Sequence, residues 1–360
     1  MAKLGARKSL RPEHWPAADR QAWAVARTPG DIFEPGGGAA NWRPQTVANF
    51  ENDYGLWLGW LATSGRLAPD SRPGERVTED AVAAYIADLQ PMLAPASLAN
   101  RVRRLYTAMQ LFEPERDWGW LAQLKARLRR AEKATKSKPE ALTSPGQLYK
   151  LGVDLMQDGE TADGLLARKR AVLYRDGLII AILAARAPRR KNLAGMRINV
   201  NVTCAGGHYW LVFSGAETKQ KRASEHRLPA DLTPRIDRYL DHHRAVLANG
   251  PHEPEPADAL WLTEFGDRLS PMAINVMAKT RTREALGVAI PPHRFRDCLA
   301  TAWAVDLPEH VTLAGAMLDH SDPKMTEDHY NQAQRHKALQ CLARTFDELR
   351  RQKSAVKDEY

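Results

Sequence analysis

The chain has 360 residues, 44% of them hydrophobic and 26% charged. That composition excludes a wholly disordered or fibrous protein, and the length favours two domains over one. The 52 lysines and arginines outnumber 43 aspartates and glutamates, for a net charge of +9, which suits nucleic acid, an acidic partner or an anionic surface without choosing among them.

Residues 1–42 read as an N-terminal arm, closing in the loop chemistry of Pro35-Gly36-Gly37-Gly38. Residues 43–136 predict a bundle of four helices. The first carries Phe50, Tyr54, Leu56, Trp57, Trp60 and Leu61 at three-to-four spacing. Thr78 caps the second, with Glu79 and Asp80 in its first turn and Val82, Tyr85, Ile86 and Leu89 along one face. The third runs from about Ser97 to Leu111, and the fourth starts near Trp118 with Leu121, Leu124 and Leu128. Between Lys125 and Glu140 seven basic residues meet two acids and Pro139, which predicts a helix end running into a basic linker that reaches about residue 143. A merely solvated linker is the competing reading.

Residues 144–350 form the second predicted domain, followed by a tail at 351–360. It opens with a helix at Leu165–Leu183 that becomes strongly apolar; Leu178–Ala185 is the longest apolar run in the chain, far short of the ~20 residues a bilayer span takes. Ile198–Thr203 and His208–Phe213 alternate apolar and polar residues around Ala205-Gly206-Gly207, the pattern of a β-hairpin, and Arg227-Leu228-Pro229 ends a third strand. Helices follow at Pro234–Leu247, Ser270–Leu286, Phe295–Ala304, Leu313–Leu318 and Asn331–Arg351. The fold class is therefore mainly α with a small β-sheet (α+β). Cys204, Cys298 and Cys341 are scattered and no C-x-x-C exists, so neither a disulfide framework nor a structural zinc site is expected. The basic N-terminus lacks the apolar stretch of a secretory signal, which points to the cytoplasm.

Chemistry concentrates in a few segments. Arg186, Arg189, Arg190, Lys191 and Arg197 lie within twelve residues without an acid among them, directly after the apolar helix. A helix C-terminus accounts for some of that charge and a polyanion for the rest. Lys219 and Lys221 sit at the edge of the predicted sheet, where charge also serves to block strand pairing. His293 and Arg296 share a helix face at i and i+3. His320 ends a helix, a polar loop follows, and Tyr330 opens the next segment. Alone, a tyrosine so placed is usually a packing residue.

Taken in order, Arg189, Lys219, His293-x-x-Arg296, His320 and Tyr330 resemble the tyrosine recombinase (phage integrase) family over roughly residues 45–350. Ala187-Pro-Arg-Arg-Lys-Asn-Leu resembles its first arginine box, His293-Arg-Phe-Arg its H-x-x-R box, Leu318-Asp-His320 its L-G-H segment, and His329-Tyr330 its nucleophile. Asn192 and Asp319 depart from that pattern, and the lysine is Lys219 or Lys221.

The resemblance implies a helical core-binding domain at 43–136 and a catalytic domain at 144–350. It implies a site-specific recombinase or integrase of a mobile element, acting through a 3′-phosphotyrosine without metal, cofactor or ATP. Catalytic residues would be Arg189, Lys219, His293, Arg296, His320 and Tyr330. DNA contacts would come from Lys125, Arg127, Arg129, Arg130, Lys133, Lys136, Lys138, Arg190 and Lys191. Implied partners are double-stranded recombination sites, further copies of the chain in a synaptic tetramer (monomer or dimer when free) and an accessory DNA-bending protein, with a nucleoid-associated location and no membrane. A catalytically silent DNA-binding relative and a type IB-like topoisomerase are the alternatives.

Overall fold

The computed structural model of the chain describes residues 8–135, 143–218 and 221–306. The chain divides into two compact units, Met1–Lys138 and Pro139–Tyr360. The fold is mainly α with one small antiparallel sheet.

The first unit contains α1 (Ala17–Arg27), α2 (Pro44–Thr63), α3 (Glu79–Leu89), α4 (Pro95–Phe112) and α5 (Gly119–Thr135). Aromatic rings fill its core: Trp23 stacks on Phe50 with centroids 4.6 Å apart, and Trp57 and Trp60 close on Tyr85 at 5.1 Å each. Thr78 caps α3, its side chain accepting from the Ala81 N–H at 3.2 Å.

One expectation needs correction here. Residues 12–27 are not a detached arm: Trp15, Trp23 and Ala26 are buried in the same core, and the Trp15 indole donates to the Leu10 carbonyl at 2.8 Å. Aromatic area of that size stabilises only when it leaves water. The basic segment from Lys125 begins as helix, as expected, and α5 continues to Thr135. Lys, Arg, Ala, Leu and Glu are all good helix formers, so charge alone does not end the helix.

The second unit is built around α7 (Ala167–Arg186), whose stretch from Tyr174 to Ala184 is buried on every side. A helix apolar all round belongs inside a core. Beside it runs α6 (Pro145–Thr161), a helix that the sequence reading left out. Three glycines weaken its helical signal, and the structure explains two of them. A Cβ on Gly152 would stand 2.6 Å from the Ala181 nitrogen and 2.7 Å from the Gly177 carbonyl oxygen. One on Gly159 would stand 2.9 Å from the Tyr174 nitrogen. The two backbones touch there with no side chain between them. Gly152→Ala is expected to destabilise the chain by about 1–3 kcal/mol through overpacking, despite alanine's better helix propensity. Gly146→Ala is the control, since its Cβ would meet only the Ser144 hydroxyl at 3.5 Å. Urea denaturation separates them, and equal midpoints would discount the crossing.

After α8 (Arg190–Gly195), strands β1 (Val202–Ala205), β2 (His208–Phe213) and β3 (Ser224–Arg227) pair in the order β1-β2-β3. Val202 faces Leu211, and Trp210 faces Arg227. Gly206 and Gly207 turn the hairpin with φ of 58° and 74°, a left-handed pair suited to glycine. The first strand is shorter than expected. Asn199 takes a positive φ of 59°, and the Asn201 side chain accepts from the Arg197 N–H at 3.1 Å, so 197–201 is a turn. A helical stretch, α9 (Thr233–Arg238), passes through a π-turn at Tyr239–His243 into α10 (Arg244–Ala248). Then come α11 (Pro271–Leu286) and α12 (Pro292–Asp306). The helices expected at Leu313–Leu318 and Asn331–Arg351 lie outside the described residues. Among the described residues no helix is long and apolar enough to cross a membrane.

Candidate active site and nucleic-acid interface

In the second unit α7 ends at Arg186, and Ala187 closes it in the left-handed region (φ 43°), its N–H donating to the Leu183 carbonyl at 3.0 Å. Pro188 follows and cannot continue the helix. Arg189 then stands at the N-cap of the short α8, where its carbonyl accepts from the Leu193 N–H at 2.8 Å. The first arginine box is therefore a sharp turn between a buried helix and a short one that exposes Arg190 and Lys191 and buries Leu193 and Ala194.

The H-x-x-R box lies on the first turns of α12, anchored by the fully buried Phe295. From there the Arg296 guanidinium donates to the Ala187 carbonyl at 2.6 Å, across 109 residues of sequence. The two boxes are thus brought together, with Arg296 bonded to backbone two residues before Arg189. Arg189 and Arg296 are half-buried, and His293 is exposed. Arg190 and Lys191 are exposed on α8. Two of the five cations in this segment have other duties: Arg197 pairs with Asp258 at 2.8 Å, and Arg186 donates to the Arg227 carbonyl at 2.7 Å.

Lys219, His320 and Tyr330 lie outside the described residues. Lys221 is exposed, at a positive φ of 55°. The described residues on either side of positions 219 and 220 are held by side chains the sequence reading missed. The Glu217 carboxylate accepts from the Ser214 N–H at 2.8 Å and from the side chain of the buried Asn201 at 2.9 Å. Against the upward push of burial, those hydrogen bonds hold the Glu217 carboxyl below its ordinary pKa. The buried Thr218 hydroxyl donates to the Arg222 carbonyl at 2.7 Å. Their signal is short-range: polar residues bordering a strand end, where side chains bond local backbone. No group of three His, Cys, Asp or Glu side chains that could hold a metal ion occurs among the described residues.

In the first unit, Arg127, Arg129 and Arg130 are exposed on α5. Lys125 sits with its ammonium 3.8 Å over the Tyr106 ring. Lys133 is on the last turns of α5, and Lys136 and Lys138 lie outside the described residues. The sequence reading missed the neighbouring face of α4. Its polar stripe is Ser97, Asn100, Arg103, Arg104, Thr107 and Gln110, with no acid. The Arg103 guanidinium donates to the Asn100 side chain at 3.3 Å. Partial burial, then the cations of Arg104 and Arg129, lower the Arg103 pKa, and only Asp53 opposes them. Asp53 is already engaged by Arg101 at 2.6 Å and Arg104 at 3.3 Å. Crowded guanidiniums with so little counter-charge form a surface suited to a polyanion. The signal for it was there at helical spacing, hidden because α4 reads first as an apolar stripe.

No protein-family model matches the chain, and no curated protein sequence is similar to it. Among solved structures, the crystal structure of XerA recombinase is similar at 14% identity and a TM-score of 0.40, over 84% of this chain and 94% of that one. A likeness at that level assigns no function.

Proposed function

We propose that the chain is a DNA strand transferase of the tyrosine recombinase kind, cutting and rejoining duplex DNA at specific sites of a mobile element. The observation that carries this reading is the 2.6 Å bond from Arg296 to the Ala187 carbonyl, which joins the two arginine boxes at one turn. The acid-free polar stripe of α4 and the exposed arginines of α5 support a nucleic-acid partner.

The chemistry follows from the residue types. In the transition state of phosphodiester cleavage, charge builds on the non-bridging oxygens. Arginine stays cationic, and its planar fork fits two phosphate oxygens, so Arg189 and Arg296 clamp the scissile phosphate, with His320 as a further donor. Tyr330 attacks phosphorus and gives its proton to His293, since a phenol of pKa about 10 needs a base and nearby cations to ionise. The bond from phosphorus to the 5′ oxygen breaks, and Lys219 or Lys221 protonates the leaving oxygen. The 3′-phosphotyrosine keeps an activated ester, so a second 5′-hydroxyl reseals it. Arg190, Lys191 and the α5 cations hold phosphates, which gives affinity and salt dependence without sequence choice.

Covalent trapping tests the reading. The chain is incubated with fragmented DNA of its source and quenched in SDS, and the attached DNA is sequenced. Adducts at one locus, mapped by mass spectrometry to Tyr330 and lost in Tyr330→Phe while salt-sensitive binding persists, are the expected result. Scattered adducts would indicate a topoisomerase-like activity. Binding with no adduct would indicate a catalytically silent DNA-binding protein.

A further inference from the structure

The end of α7 that bears the arginine turn also fastens the sheet. Arg186, the last residue of α7, donates from Nε to the Arg227 carbonyl at 2.7 Å and from Nη1 to the Ala185 carbonyl at 2.8 Å. Arg227 is the last residue of β3. Just beyond it, the Asp231 carboxylate accepts from the Tyr149 hydroxyl of α6, which stands 2.8 and 2.7 Å from its two oxygens. Burial, reinforced by the Asp231 carboxylate, holds the Tyr149 phenol above its ordinary pKa, so it stays a donor. Arg186 is one of the cations acting on that phenol, so the two ties are neighbours.

The C-terminal end of β3 is thus pinned to the α6–α7 pair. Its other end, Ser224, follows Lys221 and Arg222. At about 3.3 Å per residue, the strand is an arm of roughly 10 Å between the pin and the lysine segment. Arg186 also differs from the cations that follow it. Arg190 and Lys191 are exposed, whereas Arg186 is half-buried and its guanidinium is engaged with main chain. Burial lowers its pKa, yet an arginine stays cationic. Such a charge is costly to hold there unless its donors are used, and both of these bonds go to carbonyls that fix geometry.

We propose that Arg186, with Tyr149 beside it, is a positioning residue for strand transfer. It sets the distance between the phosphate clamp at the arginine turn and the lysine that protonates the leaving 5′ oxygen. This rests on the strand-transfer reading. Loosening the pin leaves the clamp, which Arg296 reaches from α12, and shifts the lysine. A general acid must stand within hydrogen-bond reach of the atom it protonates, and a misplacement of about 1 Å costs on the order of 10²-fold in rate.

The test measures single-turnover cleavage of two duplexes carrying the locus that covalent trapping identifies. One is natural, and the other has sulfur in place of the bridging 5′ oxygen at the scissile phosphate. In both, the Tyr330 oxygen bonds to phosphorus as the bond to the bridging atom breaks. The oxygen leaves with the lysine's proton. The sulfur leaves as a thiolate without one, since a thiol ionises near about pH 8.5. Arg186→Met is expected to cleave the natural duplex about 10²-fold more slowly than wild type, and the sulfur duplex within about threefold of it. Tyr149→Phe keeps the ring and removes only the bonds to Asp231. It is expected to show the same pattern at about tenfold, a milder misplacement, and it decides the matter if circular dichroism shows Arg186→Met unfolded. Arg296→Lys slows both duplexes, because the clamp acts whichever atom leaves. Wild-type rates on the natural duplex, or equal slowing of the two duplexes by the folded variants, would overturn the proposal and leave the strand-transfer reading standing. Wild-type protein that cleaves neither duplex would overturn that reading and the proposal with it.

Discussion

Asp19→Ala lowers the stability of the first unit by about 3–5 kcal/mol, the cost of leaving a buried ion without its partner. Asp19 is fully buried and accepts from both the Tyr54 hydroxyl and the Arg76 guanidinium. Arg76 is buried too, donating to the carbonyls of Ala68 at 2.8 Å and Ser71 at 2.7 Å. Remove the carboxylate and a guanidinium that cannot deprotonate stays in the core with only carbonyl dipoles. Burial and the Asp19 charge hold the Tyr54 phenol well above its ordinary pKa, so it remains a donor at any physiological pH and also loses its acceptor. Tryptophan fluorescence during urea unfolding reads the effect, because Trp15, Trp23, Trp57, Trp60 and Trp118 are buried in this unit. The double variant Asp19→Leu/Arg76→Leu should lose less than either single variant, since no charge is then stranded. A wild-type midpoint for Asp19→Ala would mean that the pair contributes nothing.

The second large effect is expected on catalysis. Arg296→Lys should slow single-turnover DNA cleavage by about 10²–10³, the range for removing one preorganised donor from a transition state. The substitution keeps the charge. What it removes is a planar fork whose direction is fixed by the bond from one Nη to the Ala187 carbonyl. A lysine ammonium is a single point and would serve the carbonyl or the phosphate, but not both in that geometry. DNA affinity should change little, because one phosphate contact is a small part of a salt-sensitive total. Cleavage by Arg296→Lys at the wild-type rate would remove Arg296 from the proposed clamp.

These two cases divide what the sequence makes legible from what it hides. The strongly periodic helices were readable because each buries one apolar stripe, and Gly206-Gly207 marked the hairpin because both residues need positive φ. The packing of α1 was not readable. Its one tryptophan, Trp23, sits near a glycine-rich loop, and the ion that fixes it to Arg76 pairs residues 57 apart. α6 was lost for a related reason: glycines that weaken a helix locally are what let it touch α7. For the proposed site, the arginine and histidine boxes were picked out by resemblance alone, and the structure adds the bond from Arg296 to the Ala187 carbonyl. The Asn201–Glu217 and Thr218–Arg222 bonds were not picked out, since such bonds follow from backbone geometry that spacing does not encode.

The glycine crossing of α6 and α7 has a mechanical consequence. Most helix pairs are separated by a layer of side chains that can change rotamer and let one helix slide or roll on the other. Here main chain rests on main chain, so there is no compliant layer, and close-packed interiors yield little. The pair behaves as one stiff beam, and the Ala187–Arg189 turn is mounted on its end. Any adjustment that a substrate demands must then be taken up by the parts hung from that beam: the short α8, the hairpin, and the long guanidinium arms themselves.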